Sequence, residues 1–102
     1  MALKLVASGK NTTLIESSGE SSPRGWGTWK QPIVPWCKLT GGGEAIELTG
    51  PVRIEHITGR VLTYQNGANL GLISSGVYVR TGKIALYIQY VEPVQVIITR
   101  LA

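Results

Sequence analysis

Residues 83–101 read KIALYIQYVEPVQVIITRL, and this stretch decides the fold class. Within 83–91, Ile84, Leu86, Ile88 and Tyr90 alternate with Ala85, Tyr87, Gln89 and Val91. A period of two belongs to an extended strand. Glu92-Pro93 ends the run, because proline has no N–H to give to a ladder. Residues 94–101 resume it, with Val94, Val96 and Ile98 opposite Gln95, Ile97 and Thr99. Both faces of both runs carry apolar side chains, which predicts that the two strands lie at the centre of the fold.

Working outward, the same signals recur at short intervals. Gln65-Asn66-Gly67-Ala68 holds the strongest short hairpin signal and joins 60–64 to 69–73. Ser74-Ser75-Gly76 and Thr81-Gly82 bound a run at 77–80, while Thr49-Gly50-Pro51 and Thr58-Gly59 bound runs at 45–48 and 52–57. Gly41-Gly42-Gly43 is a break, and 33–39 (IVPWCKL) reads as a strand in which Pro35 marks an edge or a bulge. Residues 3–7 and 12–16 flank the turn Ser8-Gly9-Lys10-Asn11 as a first hairpin. These nine or ten short strands, without helical periodicity, predict an all-β chain. The expected architecture is a compact antiparallel β-sandwich or jelly-roll-like domain, with a partly closed β-barrel as the alternative.

A chain of 102 residues supports one hydrophobic core, so residues 1–102 are expected to form a single domain. Its one long irregular segment is 17–32, rich in glycine, serine, proline and tryptophan. Loops of this length are uncommon in small domains and are usually functional or disordered.

Composition narrows the chemistry. All six acidic residues are glutamates, and aspartate, on which calcium loops and many carboxylate sites depend, is absent. The ten basic residues give a net charge of +4 but are scattered along the chain, which disfavours nucleic acid as a partner. Cys37 is the only cysteine, so neither an internal disulfide nor a thiolate metal cluster is expected, and no cofactor is implied. No apolar run approaches the roughly 20 residues of a membrane helix. The first residues lack the features of a signal peptide, so synthesis in a reducing cytoplasm is the expectation.

Arg24, Trp26, Trp29 and Lys30 are the candidate interaction residues. Two indoles between glycines, flanked by cations, suit a protein contact, or stacking on a sugar ring or base. The competing reading folds either indole back over the core, and both readings stand. Trp36, inside an apolar run, reads as core. His56 has no spaced partner for a catalytic dyad or metal site, and reads as a surface or satisfied histidine at a strand end. Cys37 reads as a buried inert thiol. Glu44 and Glu47 point to opposite faces of a strand and read as solvated charges rather than an acid–base pair. No constellation supports an enzyme.

The layout resembles that of the small virion proteins of tailed bacteriophages, and is similar within that group to short tail- or fibre-associated proteins. The shared elements are the opening strand Leu3–Ala7, the Ser8-Gly9 turn, the run Leu14-Ile15-Glu16-Ser17-Ser18 and the closing strand Val94–Ile98. The resemblance implies a structural protein that forms homo-oligomers, contacts other structural proteins or a glycan receptor, and is assembled into a virion. It carries no functional residues across. A carbohydrate-binding module using Trp26 and Trp29 is the alternative, and single-stranded nucleic-acid binding by Trp26, Trp29, Arg24 and Lys30 is the second.

Overall fold

The computed structural model describes residues 4–18, 32–40, 45–88 and 93–101. Ten strands follow in chain order: β1 (Lys4–Ser8), β2 (Thr12–Ser18), β3 (Cys37–Thr40), β4 (Ala45–Thr49), β5 (Val52–Thr58), β6 (Val61–Gln65), β7 (Ala68–Ile73), β8 (Gly76–Arg80), β9 (Lys83–Ile88) and β10 (Pro93–Arg100). They form two antiparallel five-stranded sheets, sheet A in the order β1-β2-β10-β5-β8 and sheet B in the order β3-β4-β9-β6-β7. The molecule measures 34 × 28 × 22 Å. It is a sandwich of two separate sheets rather than the partly closed barrel given as the alternative.

One nested series of pairs generates this order. Asn66-Gly67 closes β6 onto β7, both residues being left-handed (φ 51° and 85°), as a tight two-residue hairpin turn requires. Outside that hairpin, β5 pairs with β8, β4 with β9, and β2 with β10. Successive pairs fall in sheets B, A, B and A. The chain is thus one long antiparallel hairpin wound around a core, which is the jelly-roll path. Strands β1 and β3 extend the two sheets at their edges.

The two runs apolar on both faces take the central places: β10 is the middle strand of sheet A and β9 of sheet B. The core lies between the inner faces. Ile15, Ile54, Val96 and Ile98 come from sheet A, and Ile46, Leu48, Val61, Ile84 and Leu86 from sheet B. Each such side chain contributes about 1.5–3 kcal/mol when fully buried. Trp36 joins this cluster, as its apolar surroundings predict.

Three local readings change. The strand expected over 33–39 begins only at Cys37. Pro35 stands in the preceding turn, where a missing N–H breaks no ladder, and the Thr49 N–H donates to the Trp36 carbonyl at 2.9 Å. Strand β2 runs on to Ser18 because Ser17 pairs with Val94 and Ser18 with Pro93. His56 is neither exposed nor terminal. Strand β5 continues to Thr58, and alternation puts His56 on the inner face with Val52 and Ile54, 1% exposed.

Candidate functional site: the outer face of sheet A

Arg24, Trp26, Trp29 and Lys30 lie outside the described residues, as does Glu44. The side chains that sequence reading offered for chemistry are separated by the fold. Cys37 sits on the inner face of edge strand β3 in sheet B, whereas His56 belongs to β5 in sheet A. Burial pushes the Cys37 thiol up to about 12, so it remains protonated and unreactive in neutral solution. Both imidazole nitrogens of His56 are buried without a hydrogen-bond partner among the described residues. Glu55 points outward from the same strand, as the alternation predicts. Among the described residues, no group of three His, Cys, Asp or Glu side chains is placed to hold a metal ion. No helix there is long and apolar enough to cross a membrane.

The fold does bring together a set of residues that the sequence left dispersed. On the outer face of sheet A, Val77 of β8 stands across from Glu55 of β5, and Glu55 from Ile97 of β10. Ile97 stands across from Leu14 of β2, and Leu14 from Ala7 of β1. One row thus crosses all five strands, and four of its five side chains are apolar. The next row holds Val79, Arg53, Thr99 and Thr12 in the same register. Val77 and Val79 are 55% and 56% exposed. Ile57 adds a further exposed aliphatic group on β5.

The charges described on this face are few: Glu16, which accepts a hydrogen bond from Gln95 Nε2 at 3.4 Å, and the pair Arg53 and Glu55. Arg53 Nη1 lies 3.7 Å from Glu55 Oε2, and both side chains are partly open to solvent. Such a pair contributes little to stability by itself. Beside Val77 and Val79 the two charges of this pair offset each other.

Strand β8 is also an edge, which exposes unpaired backbone groups. Part of that edge is occupied. Arg80 Nη1 donates to the Val79 carbonyl at 3.0 Å, and the guanidinium lies 5.3 Å from the centroid of the Tyr78 ring. The Tyr78 hydroxyl in turn donates to the Ser74 carbonyl at 3.1 Å.

Sequence reading missed the row itself. Its trace was present in the excess of apolar side chains on both faces of 94–101, but Leu14, Val77 and Ala7 join Ile97 only through pairings between distant strands. Comparison with protein-family models, curated proteins and solved structures finds no match to this chain.

Proposed function

We propose that the protein is a non-enzymatic structural protein that assembles by packing the outer face of sheet A against the same face of another copy. The observation that carries this reading is the apolar row Val77–Ile97–Leu14–Ala7, interrupted only by Glu55. Apolar rows on a solvent face stabilise nothing unless something covers them.

The partner is a second copy because the face complements itself. Arg53 and Glu55 lie two residues apart on one strand. A two-fold axis through the face turns this pair over, setting Arg53 of one copy towards the partner's Glu55 and the reverse. Isologous contacts of this kind are the commonest in homo-oligomers. A five-stranded face on a molecule of 34 × 28 × 22 Å is on the scale of the ~800 Å² per partner of a standard interface.

Assembly is also what the layout resemblance to tail- and fibre-associated virion proteins implies. The jelly-roll path adds an analogy only, since coat proteins, lectins and cupins share it.

Sedimentation equilibrium or light scattering of the full chain tests the proposal. The expected result is a concentration-dependent dimer or larger closed species that dissociates in a Val77→Lys, Val79→Lys double variant with an unchanged circular dichroism spectrum. A strict monomer at high micromolar concentration overturns it. An oligomer unaffected by the double variant refutes this face as the interface.

A further inference from the structure

The opposite side of the molecule carries a different kind of surface. On the outer face of sheet B lies a depression of about 330 Å³, lined by Glu47, Thr49, Tyr64, Lys83, Ala85 and Tyr87. Its shape follows from register. Ala85 of β9 stands between Glu47 of β4 and Tyr64 of β6. A methyl group where its neighbours carry long side chains makes a floor. Tyr64 and Tyr87 form one wall, meeting edge to face with ring centroids 5.4 Å apart and planes at 79°. Tyr87 is 41% exposed. Towards the other end, Lys83 and Thr49 pair directly across the strands.

The polar groups of this hollow are uncommitted. Neither the Glu47 carboxylate, the Lys83 ammonium nor either tyrosine hydroxyl forms a hydrogen bond or ion pair among the described residues. The lining holds one carboxylate and one ammonium, which offset each other, and Lys38 of β3 stands across from Glu47 beyond the lining, so the hollow itself gives neither sign of ligand charge a strong preference. The aromatic wall calls for a ligand with an apolar face. The carboxylate calls for donors, and the ammonium and the Thr49 hydroxyl for acceptor oxygens. A ring with one C–H face and hydroxyls around its rim meets all three demands. The volume lies at the small end of ligand pockets, which suits one or two such rings.

We propose that the outer face of sheet B binds a neutral pyranose, stacked against Tyr64 and Tyr87 and hydrogen-bonded by Glu47, Lys83 and Thr49. This site lies on the opposite sheet from the assembly face. If sheet A is covered by a second copy, the two sugar sites face outward on opposite sides of the pair.

The test is an NMR titration of the full ¹⁵N-labelled chain with glucose, galactose, mannose, N-acetylglucosamine and their neutral oligomers. Heparin fragments and adenosine serve as comparison ligands. At least one neutral sugar is expected to shift the Tyr64, Ala85 and Tyr87 amides with millimolar affinity or better. Ala85→Leu, which fills the floor, and Tyr87→Ala, which removes an exposed ring, are each expected to weaken binding at least about tenfold. Glu47→Gln is expected to weaken it while preserving size. Val77→Lys, on the other sheet, should leave it unchanged. Should Ala85→Leu fail to fold, Tyr87→Ala carries the same test. No shift with any neutral sugar overturns the proposal. So does binding of heparin or adenosine alone, or sugar binding that survives both Tyr87→Ala and Glu47→Gln. Because the assembly test reads mass and this one reads amide shifts, either proposal can fail without the other.

Discussion

Asn66 and Lys83 exchange two hydrogen bonds: the Asn66 N–H donates to the Lys83 carbonyl at 2.7 Å, and the Lys83 N–H donates to Asn66 Oδ1 at 3.0 Å. Gln65 Nε2 adds a third tie, donating to the Thr81 carbonyl at 2.9 Å. The tip of the innermost hairpin is thereby fastened to the turn between β8 and β9. Asn66→Gly keeps the left-handed backbone and loses the side-chain bond, for an expected cost of about 1 kcal/mol. Asn66→Ala adds the strain of a Cβ at positive φ, for about 2 kcal/mol in all. Urea denaturation of the two variants separates these contributions. Equal losses would show that the backbone strain is absent.

Gly59 has φ 82°, and a Cβ built there runs into the Val94 side chain and the Pro93 carbonyl. Gly67 has φ 85° but open space around it. Gly59→Ala therefore combines left-handed strain with overpacking and is expected to cost about 3 kcal/mol or more. Gly67→Ala carries only the first, about 1 kcal/mol. Thermal melts of the pair check the difference, and equal melting temperatures would contradict it.

Cys37 makes stability depend on alkaline pH. Its thiol is raised in the fold from the ordinary 9.0 to about 12 by desolvation. The neutral form is favoured, so its contribution is complete below pH 9.0 and is lost as pH climbs towards about 12. The slope attributable to this group is at most ~1.4 kcal/mol per pH unit. The measurement is a comparison of two variants. Cys37→Val is expected to lose stability less steeply than the parent between pH 9 and 11, and parallel curves would refute the assignment. The native thiol is also expected to resist an aromatic disulfide reagent at pH 8 and to react on unfolding.

His56 presents a buried polar group at a site where neither ring nitrogen is hydrogen-bonded among the described residues. An unsatisfied buried group costs about 1–3 kcal/mol, and an apolar replacement of similar size removes that cost. His56→Leu is therefore expected to match or exceed the parent in stability at neutral pH. A loss above about 2 kcal/mol by chemical denaturation would mean that the imidazole has a role that packing does not supply.

Local signals were readable in the residues themselves. Asn66-Gly67 named its hairpin, Pro93 stands at the first position of a strand, and the doubly apolar runs took the central places. What could not be read locally was any relation that depends on distant pairing. Tyr64 and Tyr87 meet only because β6 pairs with β9. Leu14 and Ile97 share a row only because β2 pairs with β10. The segment with Trp26 and Trp29 drew attention because aromatics between glycines are conspicuous. The surfaces that the fold assembles are made of ordinary valine, isoleucine, alanine and tyrosine.

The nesting of pairs sets an order of events in folding. Gln65 and Ala68, which flank the innermost turn, are near neighbours along the chain, whereas Thr12 and Thr99 of the outermost pair are separated by most of it. Each inner pair, once closed, shortens the effective loop that the next must close, so the entropic barrier to the outer strands falls in sequence. Closure should then travel as a zipper from Asn66-Gly67 towards the ends, with transition-state structure greatest in β6 and β7 and least where β2 meets β10. On unfolding the same seam opens from the outside. Leu14 and Ile97, which belong to the assembly row, are therefore among the last residues to find their places and the first to leave them.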